Sequence, residues 1–212
     1  MIHTRVLTTL LALALAGCAP KGSPTMAEQP AENPEAQVAS GQQERADALD
    51  QKVGEFSAVA RGMDIGTDAA HRASMRRVFA GLAEILPLIE GPRPPGAFRQ
   101  RVRVIEGAAQ QIQTGSLELS AQPTIDSGLR ALYNALADTH ARQFSDQEPI
   151  SQALDALRAR VDGLDRVRGP LHRQAVAQVV DQVAVVVRGM SSALADRVNE
   201  AAQPAVKHSG ES

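Results

Sequence analysis

Aromatic side chains are almost missing from this chain of 212 residues: Phe56, Phe79, Phe98, Phe144 and Tyr133 make up the full set, and there is no Trp. Sheets favour aromatic and β-branched residues, so the scarcity points to helix. It also leaves few flat faces for stacking on bases, sugars or planar cofactors. Cysteine occurs once, at Cys18, which excludes an intramolecular disulfide and any cysteine-based zinc or iron–sulfur centre. Neither charge sign dominates: 22 basic residues face 24 acidic ones, for a net charge of −2. That balance is not the footprint of a nucleic-acid-binding protein, and no nucleic-acid partner is expected. The preponderance of Arg over Lys is read as genomic composition. Catalytic signatures are missing too. There is no Gly-x-Ser-x-Gly, no His-Glu-x-x-His and no phosphate-cradling Gly-rich loop. Gly189-Met190-Ser191-Ser192-Ala193 lacks the final Gly, and Glu84, Asp138 and Asp155 read as surface carboxylates. The expectation is a protein that is not an enzyme; an enzyme with no recognisable motif is the third alternative.

What is present begins at the N-terminus. Met1–Arg5 is short and basic, and Val6–Ala16 is an apolar run of eleven residues. A run of that length is too short to cross a bilayer core of about 30 Å as a helix, but it suits a secretory signal. It ends in Leu15-Ala16-Gly17-Cys18. This resembles the lipobox of bacterial lipoproteins. The resemblance covers residues 1–18 and implies cleavage between Gly17 and Cys18, with lipidation of the Cys18 thiol. Each buried CH₂ contributes about 0.8 kcal/mol, so two or three acyl chains on one residue hold essentially irreversibly. Ala19 rather than Asp follows the Cys, which in the Gram-negative sorting pattern implies the outer membrane, periplasmic side. No cofactor is expected besides that covalent lipid. Residues 19–35 carry four prolines and few apolar side chains, and read as a disordered tether. As a flexible coil it spans about 20–25 Å, and fully stretched about 55–60 Å.

From residue 36 apolar residues recur at helical spacing. The expected domain, 36–202, is an all-α antiparallel bundle of five to six helices, followed by a frayed tail at 203–212. The first segment, 36–62, carries Ala46, Leu49, Val53, Phe56, Ala60 and Met63, with Gly62 and Gly66 ending it. The second opens at Thr67-Asp68, a helix-start pair, and runs through Met75, Val78, Leu82, Ile85 and Ile89, with Pro87 expected to kink or end it. The third, 97–113, follows a stiff Gly91–Gly96 break. Leu117 and Leu119, in the linker 114–122, are expected to pack back on the body. The fourth is 123–144. The fifth, 149–168, has a capping box expected from Ser145 and Glu148. The sixth, 170–202, carries valines on more than one face, which suggests a central helix. No tetratricopeptide period is present.

Three histidines lie in or beside the apolar seams: His71 precedes Met75 by four, His140 follows Leu136 by four, and His172 precedes Val176 by four. Convergence of the three would make a metal site; without it they are core-edge or helix-end residues. The third and fourth segments resemble the last two helices of periplasmic four-helix b-type cytochromes. That resemblance implies a haem-ligating role for His140, although Val53 stands where the family has Met. Two arginine groups complete the set: Arg158, Arg160, Arg166, Arg168 and Arg173 around the Gly169-Pro170 break, and Arg93, Arg99, Arg101 and Arg103. They suit anionic headgroups, an acidic partner, or a solvated face with i,i+4 pairs. The leading expectation is a lipid-tethered interaction or structural protein of the cell envelope that contacts an envelope protein; the alternative is a haem- or metal-binding periplasmic bundle.

Overall fold

Helices dominate the computed structural model, which describes residues 34–113 and 121–202: 89% of these residues are helical and none lies in a strand. The all-α expectation holds. Six helices follow in chain order: α1 Pro34–Arg61, α2 Asp68–Glu90, α3 Gly96–Gln113, α4 Ala121–Gln143, α5 Glu148–Gly163 and α6 Gly169–Ala202, with a 3₁₀ turn Leu164–Arg166 after α5. The proposed signal, Cys18, most of the tether, Leu117, Leu119 and the 203–212 tail lie outside the described residues. The end of the expected tether belongs to α1 instead, which opens on Pro34. Proline is favourable in a first turn, where its missing N–H has no partner to lose.

Local chemistry sets the boundaries. The Thr67 hydroxyl accepts from the Ala70 N–H over 3.2 Å and caps α2, as expected from sequence. Pro87 does not end α2, which continues to Glu90. Proline costs one backbone bond, and its ring sits on the exposed face, so the packed face carries the helix through. Gly91 ends it at φ 97°, donating its N–H to the Pro87 carbonyl at 2.9 Å. That conformation favours glycine. The expected capping box before α5 does not form: the cap position is Gln147, with no side-chain cap bond, and Pro149 stands in the first turn.

Each helix packs on the next, and α6 closes the circuit onto α1; α2 also touches α4 and α6. Cross-helix bonds show the alternating direction. Arg45, early in α1, reaches Leu88 and Ile89 at the end of α2. Arg101, early in α3, reaches Asn134 and Asp138 late in α4. Gln182 in α6 donates to Ala153 in α5 over 3.0 Å. The bundle is therefore up-and-down, and its two ends differ in kind. Helices α1, α3 and α5 begin at the terminal end, where α6 also finishes. Helices α2, α4 and α6 begin at the distal end.

All six helices feed one hydrophobic core. Helix α2 is buried along Met75, Val78, Phe79, Leu82, Ile85, Leu86 and Ile89, and each such side chain contributes roughly 1.5–3 kcal/mol relative to exposure. Helix α6 buries Val176, Val179, Val180, Val183, Val186, Val187 and Met190, while Val185 faces solvent. The central place expected for α6 is shared with α2, the helix with most neighbours. Gly128 is a packing requirement: a Cβ there would stand 2.6 Å from Phe79 Cζ. No helix among the described residues is long and apolar enough to cross a membrane.

The terminal end is stapled shut. Glu90, its side chain 4% exposed, accepts from the Thr139 hydroxyl at 2.6 Å and from Arg142 at 2.9 Å. Arg45 donates to the Leu88 and Ile89 carbonyls at 2.5 and 2.7 Å, and Gln143 donates to the Glu90 carbonyl at 2.9 Å. These bonds satisfy carbonyls that the end of α2 leaves without helical partners.

Candidate functional site

Polar groups enter the core surface at the distal end, where three helices begin. The first turns of α2, α4 and α6 surround a cavity of about 210 Å³. Asp68, His71 and Arg72 come from α2, Gln122 and Ile125 from α4, and His172 and Arg173 from α6. Local sequence sets the place of each residue within its helix: a cap residue opens α2, Gly169-Pro170 opens α6, and each histidine falls one turn before the first hydrophobic core residue of its helix.

His172 is buried, and its Nε2 lies 2.7 Å from Asp126 Oδ1. An ionised carboxylate only accepts, so the imidazole donates from Nε2, and Asp126 fixes the ring's orientation. His71 is 4% exposed, yet neither ring nitrogen has a hydrogen-bond partner among the described residues. Leaving such a buried group unpaired costs about 1–3 kcal/mol. Burial first, then electrostatic repulsion from the neighbouring His172 and Arg173, pulls the pKa of His71 from 6.5 to about 4, with Asp68 opposing. The ring is uncharged at neutral pH.

Arg173 donates to the Ile65 carbonyl over 2.9 Å and pairs with Asp68. Arg72 makes no hydrogen bond or ion pair among the described residues, so its guanidinium donors are unspent. Gln122 donates to the Val167 carbonyl over 3.3 Å. A wider cleft of about 490 Å³ lies beside this cavity and shares Gln122; Asp126 lines it, so the Asp126–His172 pair divides the two hollows. The wider cleft is already neutralised: Arg130 pairs with Asp165 at 2.5 Å, and Arg168 donates to the Asp165 and Val167 carbonyls. The smaller cavity holds the unspent chemistry.

The three histidines do not converge. His71 and His172 share the cavity, whereas His140 lies in the last turn of α4, at the terminal end. No group of three His, Cys, Asp or Glu side chains among the described residues is placed to hold a metal ion. Six helices are described rather than the four of the cytochrome-like pattern, and Val53, at the position where that family has Met, is packed in the core. The arginine groups separate as well. Arg158 makes an exposed i,i+4 pair with Asp162, Arg101 pairs with Asp138, and Arg173 alone turns into the cavity wall. Sequence reading passed over Asp126, Arg72 and Gln122. Only Asp126 carried a signal, standing three residues before Leu129 on the apolar stripe of α4.

The fold and site together define a closed six-helix bundle with a polar cavity at the end where its even-numbered helices begin. No protein-family model matches the chain, and no curated protein or solved structure matches it.

Proposed function

We propose that this is a lipid-anchored, non-catalytic helical binding protein of the bacterial cell envelope. It is held at the periplasmic face of the outer membrane through Cys18 and binds at its distal end. The lipobox Leu15-Ala16-Gly17-Cys18 supports the address. The observation that carries the binding role is the distal cavity, with a buried unpartnered imidazole and an unspent guanidinium in one wall. An apolar docking stripe is a weaker basis. Exposed Leu171 and Val185 on α6 stand about 21 Å apart along the helix, and Val38 and Val104 lie on other helices.

The test has two arms. Membrane fractionation and mass spectrometry of the native protein should give an acylated peptide beginning at Cys18, with Cys18→Ser released from the membrane. A photo-crosslinker at position 72 should capture an envelope component that the same group at position 93 does not. A membrane-bound Cys18→Ser protein would overturn the anchor; equal capture at both positions would overturn the distal surface. A metal held by His71 and His172 is the second reading, favoured by two imidazoles in one wall, and elemental analysis of the purified protein separates it.

A further inference from the structure

The distal cavity has an excess of donors over acceptors. Arg72 offers a whole guanidinium, and Arg173 keeps its second amino nitrogen free after its bonds to Ile65 and Asp68. Three helices begin in its wall, and each start adds roughly half a positive charge. Only Asp68 opposes them from the wall, and it is already paired with Arg173. Guanidinium donors from α2 and α6, set among three positive helix starts, approach from different directions rather than lying in one plane. That arrangement suits a tetrahedral oxyanion more than a flat carboxylate. Size agrees: an apolar cavity of about 150 Å³ holds benzene, so 210 Å³ accommodates a phosphate group with a short organic attachment. A divalent cation fits poorly beside two guanidiniums.

We infer that the distal cavity is a phosphate-binding site in which Arg72 and Arg173 bind the anion between the starts of α2, α4 and α6, with His71 as the buried wall behind it. This deepens the reading of the distal end as the working surface and does not depend on the Cys18 anchor. Loss of phosphate binding and loss of membrane attachment are therefore separate failures. The low pKa of His71 is consistent with an electropositive, dry surrounding.

The test titrates the full-length chain, in neutral detergent at pH 7 and constant ionic strength, with inorganic phosphate. Calorimetry should show saturable binding, and the His71 imidazole resonances should move with the same isotherm. Arg72→Gln should weaken binding about tenfold or more while leaving the melting temperature unchanged, because this side chain has no partner to lose. Arg93→Gln, at the terminal end, should bind as the parent does. A second arm uses short-chain phosphatidylglycerol. Tighter binding than inorganic phosphate assigns the site to lipid headgroups, and weaker binding assigns it to free phosphate compounds. The inference is overturned by the absence of saturation below about 10 mM, by an unchanged isotherm in Arg72→Gln, or by acetate binding as tightly as phosphate.

Discussion

The terminal and distal ends of the bundle are made from the same kinds of side chain used in opposite ways. At the terminal end, Glu90, Arg45, Arg142, Thr139 and Gln143 bind one another and the open carbonyls of α2, and His140 Nε2 is buried without a partner among the described residues. At the distal end, Arg72 binds nothing among the described residues and both nitrogens of His71 are unpaired. Satisfied networks rigidify, whereas a half-satisfied one is a standing cost. The difference teaches that polar residues at a bundle end can be spent on one another or left with unspent donors, and that partner count separates the two where composition cannot.

That contrast can be broken most sharply at the terminal end. Glu90→Ala leaves Thr139 and Arg142 without their buried acceptor and should cost about 3 kcal/mol in urea unfolding. A loss below about 1 kcal/mol would mean the terminal end is not held by this network. Acid should find the opposite end. His71 titrates near 6.5 when unfolded and near 4 when folded. Between those values the unfolded chain binds more protons, so stability falls as pH drops through that window, by up to about 3 kcal/mol, and is fully present above it. His71→Leu should flatten that slope and leave stability at pH 7 unchanged or raised, since an unpaired buried imidazole is removed. Persistence of the slope in His71→Leu would assign it to other groups. The filled middle provides a control. Gly128→Ala drives a methyl group into Phe79 and should cost about 2 kcal/mol, whereas Gly54→Ala, with open space around it, should gain about 0.5–1 kcal/mol. Thermal melts of the pair read this directly. The smallest effect is Arg72→Gln, expected within about 0.5 kcal/mol of the parent; a larger loss would show a structural task for that side chain.

Much of the fold was legible because helices declare themselves locally. The apolar spacing placed all six helices to within a few residues at most boundaries, and Thr67 announced the start of α2. The misreadings occurred where a local rule met tertiary packing. Pro87 does not end α2, because its outer face is solvent, and Gln147 rather than Ser145 opens α5. The candidate site was half legible. His71 and His172 stood out by their place beside the seams, but their separation from His140 follows from helix direction, which no periodicity encodes. Asp126 and Arg72 looked like ordinary surface residues until their neighbours were known.

By itself the sequence determined the helical periods and the breaks between them, because each depends on residues within a few positions of one another. Tertiary structure alone decided that α2, α4 and α6 begin together, that His172 meets Asp126 across 46 residues of chain, and that His71 is buried without a partner among the described residues. Those are properties of surfaces brought together from distant segments. Burial and pairing exist only after the chain has closed its circuit from α1 back to α6.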